Sequence, residues 1–153
     1  MKVVEGRSVT EVQRGIILQQ VNCQGVMGSG VAAAIRGLWP KVFDDYAAHC
    51  RTGMTPSDVL GSINVTEVEP QLFVINLFGQ LNYGRDKSVR YTSYDALDKA
   101  LSQTQRWMKE HGWQSFDVHH PLIGSGLGGG NWQTVSSLID HHLGSNTTLW
   151  LYP

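Results

Sequence analysis

"LFVINLF", residues 72–78, decides the fold. Six of its seven side chains are apolar, and they fall on both alternating faces of an extended chain, the pattern of a strand covered by helices on each side. Working outward, the branched run from Ile16 to Val21, closed by Asn22 at a polar, glycine-containing turn, predicts a second strand. Val31, Ala32, Ala33, Ala34 and Ile35 then favour a helix opening directly out of "GVMGSG". Pro40 suits the first turn of another helix, with Val42, Phe43, Tyr46, Ala47 and Cys50 along one face. On the other side of residues 72–78, Tyr94, Leu97, Leu101, Thr104 and Met108 recur at helical steps, with Gly112 as terminator. "SFDVH", Ser115–His119, predicts a short strand; Trp132, Val135, Leu138, Ile139 and His142 mark a further helix face. "TTLWLY", Thr147–Tyr152, predicts the last strand, and Val3 and Val4 an edge strand near the start. Alternating strands and helices give an α/β fold: a three-layer α/β/α sandwich around a mixed sheet of about six strands, with antiparallel pairing entering through Asp58–Val68.

The 153 residues suit one domain, 1–153, with a substantial core. Twelve basic residues against 13 acidic ones leave a formal charge of -1 at pH 7, which excludes a broad positive surface for a nucleic-acid backbone. No apolar run reaches the roughly 18 residues of a membrane span, so no membrane partner is expected. Cys23 and Cys50 are the two cysteines. With no secretory leader legible, they fit a reduced, cytoplasmic setting.

Two glycine-rich segments sit at strand-to-helix transitions, where α/β folds place ligands. The first is "VNCQGVMGSGVAAAI", Val21–Ile35. The second, "HPLIGSGLGGGNWQTV", runs from His120 to Val135. Glycines let the backbone approach a ligand closely, and unpaired amides at a helix start attract anionic oxygens. The first segment carries neither the lysine and hydroxyl residue of a phosphate-binding P-loop nor a proper dinucleotide fingerprint. Two neighbouring backbone nests would suit the two phosphates of a diphosphate; tight packing turns are the competing explanation.

Together these segments resemble the macrodomain family, particularly its ADP-ribose-1''-phosphate phosphatases and related ADP-ribosyl hydrolases, and the likeness extends from "VVEGRSVTEV" to the final strand. The resemblance implies an ADP-ribose cleft at the crest of the sheet. Carried over by position, Asn22 lies beside the distal ribose, and Gly28, Ser29, Gly30 and Val31 enclose that ribose and a phosphate. Ser125, Gly126, Leu127, Gly128 and Gly129 wrap the diphosphate. Ser8 and Val9 border the adenine, where the acidic contact of many relatives is missing from "EGRSVT", and Tyr152 offers an aromatic wall. The implied ligands are ADP-ribose, ADP-ribose-1''-phosphate or an ADP-ribosylated macromolecule.

Side chains with chemistry are few. Asn22 can orient ribose hydroxyls without supplying charge. His119 and His120 point to opposite faces if they lie on a strand. His120, just before Pro121 at the expected rim, is the candidate for assisting phosphate transfer, with structural hydrogen bonding as its competing role. In the loop from Asn76 to Tyr94, Arg85 and Lys87 are candidates to neutralise a terminal phosphate, and Asp86 to position either of them or a water; Asn82 and Arg90 complete the polar set. The histidines and cysteines lack zinc-site spacing, and no redox cofactor is implied. The lysine and aspartate that support catalysis in deglutamylating relatives correspond here to Gly79-Gln80 and Gly128. The expected function is therefore ADP-ribose recognition with phosphatase activity on ADP-ribose-1''-phosphate; the alternatives are a noncatalytic ADP-ribose reader and a hydrolase acting on a modified macromolecule.

Overall fold

The computed structural model describes residues 1–152. It contains strands β1 (Lys2–Glu5), β2 (Gly15–Asn22), β3 (Ile63–Glu69), β4 (Leu72–Gln80), β5 (Val118–His120) and β6 (Thr147–Leu151), and helices α1 (Gly30–Leu38), α2 (Pro40–Cys50), α3 (Tyr94–Glu110) and α4 (Trp132–Leu143). The strands form one sheet in the order β1-β6-β5-β2-β4-β3. Every neighbouring pair is parallel except β3 with β4. That exception follows from chain length: Pro70 and Gln71 alone separate the two strands, and so short a link allows only a hairpin. Gln71 takes a positive φ of 61° to make the turn.

Residues 72–78 are buried throughout. Leu72, Val74 and Phe78 join Ile17, Val21, Ile35, Val42 and Tyr46 in one core, beneath α1 and α2. Phe73, Ile75 and Leu77 join Ile16, Leu18, Leu97, Leu101, Val135 and Ile139 in the other, beneath α3 and α4. Two apolar faces on one strand thus fix the three layers. Asn76, the polar exception, is satisfied within the core: it accepts from Gln19 Nε2 at 2.7 Å and donates to Asn64 Oδ1 at 2.8 Å.

Two strand boundaries differ from the sequence expectation. β5 occupies 118–120 rather than 115–119, because Val118–His120 is the stretch in register with Thr147–Leu149 of β6. Phe116 instead packs against Trp113 with ring centroids 4.3 Å apart. His120 is consequently a strand residue, not the first residue of a rim loop. The last strand ends at Leu151, where its pairing with β1 ends at Glu5, so Tyr152 lies beyond the sheet. Among the described residues, no helix is long and apolar enough to cross a membrane.

β5 and β2 are adjacent and parallel. Their carboxyl ends deliver both glycine-rich segments to the same edge of the sheet.

Candidate functional site

Between those segments lies a cleft of two lobes that share Gln20, Ser29, Ala32, Gln80, Leu127 and Gly128. The smaller lobe, about 430 Å³, lies against Asn22, Val26–Ser29, Tyr83–Arg85 and Leu127. The larger, about 820 Å³, runs past Ser29–Ala32 and Pro121–Gly128 to Ser8–Thr10 and Trp150–Tyr152. Both volumes suit a small-molecule site.

The first segment reaches its shape through Asn22, which is 7% exposed. Its Oδ1 accepts the Gln24 backbone N–H at 2.9 Å, and that fixed donor sets the orientation of the amide. Nδ2 then donates to the Val26 carbonyl at 2.7 Å, leaving one N–H for a ligand. Gly25 (φ 79°) and Gly30 (φ 59°) occupy the left-handed region, where a side chain would be strained. Ser29 precedes α1 without capping it. Among the described residues, the N–H groups of Gly28, Ser29, Gly30 and Val31 have no hydrogen-bond acceptor in the chain. An uncapped helix start with free amides is an anion site in waiting.

The second segment is held from below. The Thr92 hydroxyl donates to the Gly124 carbonyl at 2.8 Å and accepts from Gln20 Nε2 at 2.9 Å. Gln20 Nε2 also donates to Gln80 Oε1 at 2.7 Å, while Gln80 Nε2 donates to the Asn82 carbonyl at 2.8 Å. The Tyr91 and Thr92 N–H groups both donate to the Gly128 carbonyl, at 2.9 and 3.0 Å. So anchored, the loop presents the N–H groups of Gly126, Leu127 and Gly128, which have no acceptor among the described residues. Gly129 N–H is already engaged with the Gly126 carbonyl at 3.1 Å, and Ser125 N–H with Leu122 at 3.2 Å. The nest is therefore narrower than the glycine run. Gly128 has no room for a side chain: a Cβ there would lie 2.5 Å from the Thr92 hydroxyl oxygen and 2.8 Å from the Gly124 carbonyl oxygen.

At the far end of the larger lobe, Ser8 caps a short 3-10 turn by accepting from Thr10 N–H at 3.2 Å, and Glu11 turns back to the Ser8 N–H at 3.0 Å. The one acid in this turn is thereby spent on its own backbone and on Arg7, whose Nε donates to it at 3.2 Å. Val9 is 2% exposed, its side chain in the core, so it offers backbone alone. Tyr152, 70% exposed, borders the lobe. No charged side chain lines this lobe among the described residues.

Two candidate acid–base groups are elsewhere. His120 is fully buried and lines neither lobe. Its Nδ1 lies 2.9 Å from the Pro121 carbonyl and its Nε2 lies 3.2 Å from the Thr147 hydroxyl. Because a carbonyl only accepts, Nδ1 carries the proton and Nε2 accepts from Thr147, which leaves neither nitrogen for a substrate. The strand position explains this: His120 faces α4, with Trp132 5.9 Å away, ring to ring. Asp86 is fully exposed, lines neither lobe and accepts from the Ser88 hydroxyl at 2.7 Å and its N–H at 2.9 Å; those bonds hold its carboxyl below the usual range. Neither residue fits the role expected of it.

Of the other loop residues, Arg85 lines the smaller lobe and is its sole charged side chain among the described residues. Arg90 lies over the Tyr94 ring at 4.3 Å, and Asn82 accepts from Gln24 Nε2 at 3.1 Å. Cys23 and Cys50 are free thiols. Burial, with Cys50 adding to it, pushes the Cys23 thiol up to about 11, so it is not a thiolate near neutral pH. Gln20 and Thr92 escaped the sequence reading; two adjacent amides, Gln19-Gln20, interrupting an otherwise branched strand were the available signal.

Burial lowers the pKa of His49, His119 and His120. Unfolded histidines bind protons below about pH 6.5 while these folded ones resist, so stability is full above that pH and is lost as pH falls through it. Urea midpoints are expected to be lower at about pH 5.5 than at about pH 7.5; an equal or higher midpoint at the lower pH would contradict this.

A mixed α/β/α sandwich with two amide nests at the carboxyl edge of parallel strands defines an anion-binding class of site. The Macro domain family model matches residues 19–139, and the chain belongs to that family. An ADP-ribose 1''-phosphate phosphatase of Meyerozyma guilliermondii is 25% identical over 146 residues, covering 83% of each chain. A DNA ADP-ribosyl glycohydrolase of Mycobacterium tuberculosis is 25% identical over 123 residues, 80% of this chain; the match spans 33% of that protein's length. A solved macrodomain protein of Streptomyces coelicolor superposes with a TM-score of 0.76 at 25% identity, covering 99% of this chain and 100% of the other.

Proposed function

We propose that the cleft binds ADP-ribose-1''-phosphate and hydrolyses it to ADP-ribose and phosphate. The observation that carries this is the distribution of donors. Two sets of unpaired amides belong to residues that line the cleft, and the smaller lobe adds a single cation, Arg85, with no carboxylate among the described residues lining that lobe. That arrangement suits a diphosphate followed by a further phosphate. The larger lobe would hold the adenosine, the Gly126–Gly128 and Gly28–Val31 amides the diphosphate, Asn22 the distal ribose, and Arg85 the terminal phosphate.

In the reaction, water adds to the terminal phosphorus as its bond to the ribose 1''-oxygen breaks. The departing 1''-oxygen takes up one proton of the attacking water and leaves as the anomeric hydroxyl, while the water's oxygen departs in the phosphate. Phosphoryl transfer depends chiefly on positioning and charge stabilisation, which amides, Asn22 and Arg85 supply without a side-chain acid or base. A noncatalytic reader is the second reading, supported by the lack of any carboxylate or imidazole among the described residues lining either lobe. Release of ADP-ribose from a macromolecule by lysine–aspartate chemistry has weaker support, since Gly79-Gln80 and Gly128 stand at the nearest positions. A reducing compartment, such as the cytoplasm, fits the free thiols.

Arg85 tests the assignment. The wild-type protein is expected to bind ADP-ribose-1''-phosphate more tightly than ADP-ribose by about tenfold, and Arg85→Gln to remove that margin while leaving ADP-ribose affinity within about twofold. Equal loss for both ligands, measured by calorimetric titration, would contradict a terminal-phosphate role.

A further inference from the structure

Tyr46 lies on α2, fully buried, and its ring stacks on Phe78 of β4 with centroids 5.6 Å apart. Its hydroxyl, however, emerges beneath the first glycine-rich segment. It lies 2.8 Å from both the Asn22 carbonyl oxygen and Asn22 Oδ1, and it accepts the Gly25 N–H at 3.1 Å. Both Asn22 oxygens are acceptors, so the phenol shares its single proton between them, and a lone pair receives the Gly25 N–H. Burial, reinforced by the neighbouring Cys50, raises its pKa far beyond the usual range, which keeps that proton in place at all working pH values. One hydroxyl thus ties the strand end, the carboxamide and the turn of the loop together.

Nothing else from outside the segment bonds to the Asn22 side chain among the described residues. Gln24 and Val26, its other partners, belong to the segment itself and move with it. We infer that Tyr46 is a positioning residue for the distal-ribose end of the cleft, acting through Asn22 without touching the ligand. This rests on the proposed binding of ADP-ribose.

The test compares ADP-ribose with ADP, which ends at the diphosphate, in wild type, Tyr46→Phe, Asn22→Ala and the double variant. Tyr46→Phe keeps the packed ring and removes the hydroxyl. Its ADP-ribose affinity is expected to fall about tenfold, with ADP affinity held within about twofold. In the double variant, the second substitution is expected to add less than about twofold to the loss in Asn22→Ala, because the two groups act in series. A merely structural tyrosine would weaken both ligands alike, or add its full loss on top of Asn22→Ala; either result overturns the inference, as does unchanged ADP-ribose affinity in a folded Tyr46→Phe protein. Failure of the wild type to bind ADP-ribose would instead overturn the proposed function, and the inference with it.

Discussion

Gly128→Asp is expected to weaken ADP-ribose binding by about a hundredfold. The cause is space. A Cβ at 128 would meet the Thr92 hydroxyl oxygen at 2.5 Å, the Gly124 carbonyl oxygen at 2.8 Å and Gln20 Nε2 at 3.2 Å. All three atoms already belong to one hydrogen-bond network, Gln20 Nε2 donating to the Thr92 hydroxyl and that hydroxyl to the Gly124 carbonyl, which also accepts Gly130 N–H at 2.7 Å, so none can yield freely. The loop must move outward, taking the Gly126–Gly128 amides with it, and the new carboxylate would repel the diphosphate. Calorimetric titration of ADP-ribose measures the loss. Affinity near that of wild type would show that the loop accommodates an aspartate, and the steric account would then be wrong. The same crowding explains why restoring the residue found in deglutamylating relatives should not restore their chemistry.

Asn22→Asp is expected to cost at least about thirtyfold in ADP-ribose affinity. The wild-type amide is anchored by partners of opposite demand, donors on its oxygen (the Gln24 N–H and the Tyr46 hydroxyl) and an acceptor on its nitrogen (the Val26 carbonyl). A carboxylate satisfies the first and opposes the second, placing two oxygens where a 2.7 Å hydrogen bond stood. The segment between Asn22 and Gly28 must then rearrange, and the N–H proposed to meet the distal ribose is gone. Because the defect is confined to one end of the cleft, ADP should lose much less than ADP-ribose. Equal losses for the two ligands would place Asn22 in a general structural role.

Much of this architecture is legible in residue order. "LFVINLF" announces a strand apolar on both faces, and its burial on both sides fixes the layers. The glycine segments stand where strands give way to helices, and both open onto the cleft. What escapes the sequence is set by pairing between distant positions. β5 shifts because its register is chosen by β6 and β2, and that shift carries His120 from the expected rim into the interior. Likewise, Gln20 meets Gln80 and Thr92 at separations of 60 and 72 residues. Tyr46 is legible as a core residue on an apolar helix face, but not the reach of its hydroxyl. Asp86 is a candidate by residue type alone; it bonds to Ser88 and lines neither lobe.

The central claim meets its most direct test when the purified protein is incubated with ADP-ribose-1''-phosphate and both products are quantified against time. The predicted result is release of phosphate and ADP-ribose in equal amounts, proportional to protein and abolished in Asn22→Asp and Gly128→Asp. Phosphate release no faster than in buffer, from a protein that binds the ligand, would contradict it.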